Sequence, residues 1–120
     1  GPGVAAVDWQ TASMGPPGRD LAFFLATCLE VEDRRRHEDD LVAAYHGALT
    51  AQVVEGYDLD ACREGYRLGL LHAPLIVLLG RLTAGVTERG DAMFRAMWRR
   101  SATAIDDLAA LDAVRRRLDG

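Results

Sequence analysis

The sequence predicts a mainly α protein, about four helices preceded by one short β-strand. Three observations carry this. Apolar residues recur at helical spacing over most of the 120 residues. Only one short apolar run, near the start, has the length and turn-bounded form of a strand. Turn signals at Met14–Gly18, at Gly56 and at Gly80, Gly85 and Gly90 separate the periodic segments.

The strand is Val4-Ala5-Ala6-Val7-Asp8-Trp9, followed by Met14-Gly15-Pro16-Pro17-Gly18, a turn that no regular element crosses. A lone strand cannot satisfy its own backbone groups, so it requires a partner outside this stretch of chain. Asp20 stands directly before Leu21–Leu29 and reads as the N-cap of a first helix, apolar nearly all round and therefore buried. Glu30 to Arg36 reads as a charged connection. The second helix is expected from about His37 to Val54, with Leu41, Tyr45, Ala48, Leu49 and Gln52-Val53 on one face, and Gly56 stopping it. Glu38, Asp39 and Asp40 lie in its first turn, where acids oppose the positive end of the helix dipole.

A third helix starts at Asp58 or Asp60 and presents Leu59, Cys62, Tyr66, Leu70 and Ala73. Pro74 lacks the backbone donor and crowds the carbonyl of Leu70, which predicts a kink before the helix continues through Leu79. Gly80, Gly85 and Gly90 mark the following loop. The fourth helix is expected from Asp91 to about Leu118, with Phe94, Trp98, Ile105, Leu108, Leu111 and Leu118 to one side.

Composition excludes several classes. A hydrophobic share of 49% supports a packed core in a single domain, residues 1–120, and 27% charged residues keep it soluble. The longest apolar stretch, Leu68 to Leu82, is interrupted by His72, Pro74 and Arg81 and is too short to span a bilayer, so no membrane role is expected. The opening Gly1-Pro2-Gly3 shows no signal-peptide pattern, and a cytoplasmic location is the expectation. A net charge of −4 argues against a nucleic-acid partner. The triplets Arg34-Arg35-Arg36 and Arg115-Arg116-Arg117 sit beside acids and read as solvated helix ends. Cys28 and Cys62, without metal-ligand spacing, read as buried free thiols. His37, Asp39 and Asp40 point to different sides of a helix and do not make a metal site. His46 and His72 are isolated and read as hydrogen-bonded packing residues.

One constellation carries chemistry. Val7-Asp8-Trp9-Gln10, then Gly15, then Asp20-Leu21-Ala22 places an Asp at the end of an apolar run and a second Asp twelve residues on. A carboxylate at the end of a strand is rigidly placed, and Mg²⁺ prefers one or two such oxygens plus nucleotide phosphates. This segment resembles the phosphotransferase-enzyme family that includes aminoglycoside and choline kinases and shares its fold with protein kinases. Gly65-Tyr66-Arg67-Leu68-Gly69-Leu70-Leu71 and the helix from Trp98 to Leu108 look like the C-terminal helices of those enzymes, so the resemblance covers essentially the whole chain.

The resemblance implies that residues 1–120 are a partial C-terminal lobe of a kinase-like fold, with Asp8 as a Mg²⁺ ligand and Asp20 as a structural anchor. It implies an ATP-dependent transfer of a γ-phosphoryl group to the hydroxyl of a small-molecule acceptor. The family's acceptor sites often use acids, for which Glu38, Asp39, Asp40, Glu64 and Asp91 are available. The departures are as plain as the match. The chain holds no Lys, no Asn and no His-Gly-Asp, so the phosphate-gripping Lys, the second metal ligand and the catalytic base are missing, and no catalytic residue is assigned within it. The N-terminal lobe and catalytic loop are absent from these residues. Mg²⁺ and ATP belong to the complete enzyme, neither is expected to bind this chain tightly, and it is expected to be inactive alone. Two other classes are weighed: a non-enzymatic helical interaction module or kinase remnant that forms a homo-oligomer through the exposed strand and helix face, and the ligand-binding half of a transcriptional regulator, in which Asp8 would have no role.

Overall fold

The computed structural model describes residues 3–52 and 54–120. Among them lie six α-helices: α1 (Arg19–Cys28), α2 (Val31–Thr50), α3 (Leu59–Gly69), α4 (Ala73–Thr83), α5 (Glu88–Asp107) and α6 (Ala110–Asp119). Two 3-10 turns, Trp9–Thr11 and Leu70–His72, complete the regular structure. The mainly α expectation holds.

The expected strand does not form. Residues 3 to 8 take no regular conformation, and Val4 and Val7 are exposed. The physical reason is the one that made the strand questionable: a strand needs a neighbour to receive its N–H and C=O groups, and no described segment pairs with it.

Helix α1 is the hub, packed against α3 on one side and α5 on the other. Its inward face is Ala22, Leu25, Ala26 and Thr27, all buried. The core cluster joins Ala22, Leu25 and Ala26 to Val42, Cys62, Tyr66, Leu70, Ala73, Ala104 and Ala110. Half of that cluster is alanine, so the helices meet by close backbone approach more than by interlocked large side chains. Phe24 lies on the outer face of α1 and is half exposed, so burial of this helix is one-sided.

Four boundaries differ from the expected ones. Gly18, with φ 92°, sits at the N-cap of α1, and Asp20 is in the first turn, not at the cap. The segment expected as a charged connection is helical, because α2 starts at Val31. This early start resets the face of α2: Arg34 and Val42 are buried, whereas Leu41 and Ala48 are exposed. Val53, expected on the same face, lies outside the described residues, as do Gly1 and Pro2.

At Pro74 the helix breaks. Leu70–His72 winds as a 3-10 turn and α4 begins at Ala73, with Pro74 in the first turn, where a missing N–H costs nothing. The expected inward stripe of the third helix holds, since Cys62, Tyr66, Leu70 and Ala73 are all buried. Gly80 and Gly90 are helical residues of α4 and α5, leaving Gly85 in the loop. The long final helix is two. Ala109, at φ 46° and ψ 47°, turns left-handed between α5 and α6. Arg67 holds the break by donating from Nε to the Leu108 carbonyl (2.5 Å) and from Nη2 to the Ala109 carbonyl (2.9 Å). The break swings the expected apolar stripe away: Leu111 and Leu118 are exposed, and the buried positions are Ser101, Ala104, Ala110 and Ala113.

Candidate functional site

Asp8 is exposed and stands at the head of the 3-10 turn with φ 64° and ψ 50°. Aspartate is one of the few residues other than glycine that enters this left-handed region at modest cost. Its Oδ1 accepts a hydrogen bond from Gln10 Nε2 at 3.1 Å, and Trp9 Nε1 donates to the Ala6 carbonyl at 3.1 Å. These short-range bonds give the segment a defined turn in place of the expected strand end. For Mg²⁺ the donor set is one carboxylate and one amide side chain. That fits a cation which takes one or two protein oxygens and leaves its other positions to water and phosphates. No group of three or more His, Cys, Asp or Glu side chains forms a metal cluster among the described residues.

The polypeptide from the Asp8 turn is fixed to the body through glycines. A Cβ on Gly18 would come within 2.9 Å of the Tyr66 nitrogen, and one on Gly65 within 2.9 Å of the Pro17 carbonyl oxygen. Gly69 is equally close to α1, where a Cβ would meet Ala22 Cβ at 3.0 Å. Gly65 and Gly69, one turn apart on α3, thus form the groove into which the Pro17-Gly18 turn and the start of α1 descend. Asp20 is exposed just beyond this contact, beside the positive end of α1.

Of the acids available for an acceptor site, Glu38, Asp39 and Glu64 line one cleft of about 250 Å³ between α2 and α3. Asp60, not singled out in the sequence, joins them, and Arg63 and Arg67 share the cleft. Asp40 is not among its lining residues, and Asp91 is elsewhere, paired with Arg81 at 2.9 Å between α5 and α4. Glu38 is already engaged: its Oε2 accepts from Arg34 Nη1 at 2.7 Å and from the Tyr66 hydroxyl at 3.1 Å.

That engagement is part of a network the sequence reading missed. Arg34, read as a solvated helix end, is 1% exposed and is the largest fully buried side chain. Its guanidinium bridges Glu38 and Asp107, and Arg35 adds Nε and Nη2 bonds of 2.8 and 2.9 Å to the Asp107 oxygens. Burial opposes the Arg34 cation, but hydrogen bonds and charge from Glu38 and Asp107 outweigh it and hold its pKa above the ordinary arginine value. Asp107 is held below the usual carboxylate range, first by its hydrogen bond from Arg35 and then, against the opposing effect of burial, by Arg34. The only sequence signal was the spacing of Arg34 and Glu38, four apart on what is a helix from Val31 onward. Arg36 and Arg115 to Arg117 are exposed, as expected.

Cys62 is buried, but Cys28 is exposed, because it falls on the last turn of α1 outside its packed face. His46 is a hydrogen-bonded packing residue, its Nε2 lying 2.8 Å from the Tyr57 carbonyl. No helix among the described residues is long and apolar enough to cross a membrane.

A family model described as "Uncharacterized oxidoreductase dhs-27" matches residues 4–108, most of the chain. No curated protein and no solved structure matches.

Proposed function

The chain belongs to the family so matched, and on that premise we propose that it forms part of an ATP-dependent small-molecule phosphotransferase, inactive when isolated. One observation carries the reading. An exposed Asp8, fixed in a hydrogen-bonded turn, leads into a glycine-seated turn and a first helix that begins Arg19-Asp20-Leu21-Ala22. That order is the aminoglycoside-phosphotransferase-like pattern, and it favours phosphoryl transfer over the redox chemistry named in the family's description. Asp8 would hold Mg²⁺, with Gln10 beside it, and Asp20 would serve as an anchor. When bound, Mg²⁺ with ATP would supply charge neutralisation at the transferring phosphoryl group. In the cleft of Glu38, Asp39, Asp60 and Glu64, Asp39 would be the carboxylate to meet a hydroxylated, cationic acceptor, because the other three are paired with Arg34, Arg63 and Arg67.

The test has two parts. The chain alone, with Mg²⁺, ATP and a panel of hydroxylated acceptors, is expected to form no ADP. A longer reading frame that supplies a Lys, an Asn and His-Gly-Asp upstream is expected to be active and to lose activity at least about a hundredfold on Asp8→Asn, the scale of losing a metal ligand's electrostatic support. ATP-dependent phosphorylation by this chain alone, or full activity of the Asp8→Asn enzyme, would sink the proposal.

A second reading, a helical module that pairs with another copy, is favoured by one surface. Leu75, Leu78, Leu79 and Leu82 recur at i, i+3, i+4 and i+7 along α4 and are all exposed, Leu82 at 75%. This reading expects a dimer by light scattering at micromolar concentration, returned to a monomer by Leu79→Glu with Leu82→Glu. A wild-type monomer counts against it.

A further inference from the structure

Helices α4 and α5 enclose an apolar groove of about 370 Å³ that shares no residue with the acid-lined cleft or the Asp8 turn. Val77 and Leu78 line it from α4, Phe94 and Trp98 from α5. Val77 is buried, whereas Leu78 and Trp98 are 45% and 48% exposed, so the groove opens to solvent between apolar walls. Apolar surface left open in a concave site of held shape marks a binding groove. Here the shape is held from both helices. Gly80 lets α4 approach α5 closely: a Cβ there would lie 3.0 Å from Phe94 Cε1. Arg81 of α4 pairs with Asp91 of α5 at 2.9 Å and ties the two helices at one end of the groove.

Along α5, Asp91, Phe94, Arg95 and Trp98 follow at i, i+3, i+4 and i+7 and so share one helix face. At the helical rise they span about 10 Å, with Arg95 about 6 Å along the axis from Asp91 and about 5 Å from Trp98. The charge on that face does not balance. The Asp91 carboxylate is taken up by Arg81, whereas Arg95 enters no ion pair among the described residues. An arginine stem lies readily along an apolar wall while its guanidinium stays at the wet rim. The groove thus offers a length of apolar surface ending beside one uncompensated cation. Its complement is a molecule with an apolar body and a single negative head.

We propose that the α4–α5 groove binds an organic monoanion of that form, a medium-chain carboxylate, with its chain against Leu78, Phe94 and Trp98 and its carboxylate on Arg95. The site is independent of the phosphotransferase reading. It shares Leu78 with the leucine stripe of α4, so the substitutions that test it are placed on α5, and losing ligand binding there leaves the pairing of copies through α4 a separate measurement.

Decanoate titrated into the chain, followed by calorimetry and by the indole N–H signals in NMR spectra, tests it. Saturable binding of one decanoate per chain at millimolar concentration or below is expected. Decyltrimethylammonium, the same chain with a cationic head, should bind at least about fivefold more weakly, the scale of a solvent-screened charge interaction. The protein has two tryptophans, which locate the ligand: the Trp98 signal should shift on titration and the Trp9 signal should not. Arg95→Gln is expected to weaken decanoate about fivefold without weakening the cationic amphiphile. Trp98→Ala should weaken both about tenfold, through lost apolar contact. Both positions are exposed on α5, so Arg95→Gln keeps the test open should Trp98→Ala fold poorly. No saturable binding, a shift at Trp9 without one at Trp98, equal binding of the cationic amphiphile, or decanoate binding indifferent to Arg95→Gln would each overturn the assignment.

Discussion

Arg34→Ala should be among the most destabilising substitutions in this protein, and its cost can be worked from the network it leaves. Arg34 is 1% exposed, and its partners Glu38 and Asp107 are 13% and 25% exposed. With the guanidinium gone, Asp107 keeps its two bonds from Arg35, but Glu38 retains only the Tyr66 hydroxyl. Removing one partner from a buried ion pair costs about 3–5 kcal/mol, chiefly because the other charge stays desolvated. For a chain of this size that lowers the melting midpoint by roughly 10–20 °C. Arg35→Ala is the control. Arg35 is 44% exposed, and solvent screens its pairs, so its loss should cost far less than that of Arg34. Urea unfolding followed by far-UV circular dichroism measures both, and Glu38→Gln supplies a milder probe of the same cluster. Equal losses in Arg34→Ala and Arg35→Ala, or a loss below about 1 kcal/mol in Arg34→Ala, would refute the reasoning. The pH dependence has a definite sign. Asp107 is depressed in the folded state, so its stabilising contribution is complete above the ordinary carboxylate pKa near 4 and disappears as the pH falls through the lower folded value. Asp107→Asn should flatten that acid limb.

Two further outcomes follow from backbone and burial. Ala109 adopts a left-handed conformation that costs an alanine about 1 kcal/mol or more, so Ala109→Gly should stabilise the chain by about 0.5–1 kcal/mol after the added freedom of the unfolded state is counted. A lower melting midpoint in that variant would show that the α5–α6 break is not strained. At alkaline pH the tyrosines act together: burial pushes Tyr57 up to about 12, and burial with the Glu38 charge raises Tyr66 further. Both raised groups stabilise the fold below the ordinary tyrosine pKa near 10, and that contribution is lost as the pH climbs through their folded values. Their phenolate absorbance should therefore rise together with loss of helicity; their ionisation near pH 10 in a fully helical chain would contradict the burial argument.

Helix existence was legible because α-helical hydrogen bonds are local and apolar spacing reports them directly. The stripe of Cys62, Tyr66, Leu70 and Ala73 was readable for this reason, and a disturbance at Pro74 was readable as a kink where the structure has a 3-10 turn and a new helix. The Asp8-to-Asp20 order was readable as a motif, but its conformation was not. Whether Val4 to Trp9 pairs as a strand depends on a neighbour, and the described fold provides none, so Asp8 stands at a 3-10 turn instead. Glu38, Asp39 and Glu64 were readable as candidates, but Asp60 was not, and the grouping of the four required α2 and α3 to pack.

The sequence by itself determined that most of the chain is helical and that Pro74 interrupts it, because propensity and proline chemistry act over a few residues; the start of α2 at Val31 and the break at Ala109 were not legible in it. Tertiary structure alone decided which polar groups became interior. Arg34 looks like any arginine in a charged triplet until Asp107, seventy-three residues away, arrives to meet it. The Tyr57 hydroxyl is buried where Gly65 of α3 lies beside it. Burial of a charge or a hydroxyl is a property of what packs against it, and no local pattern encodes that.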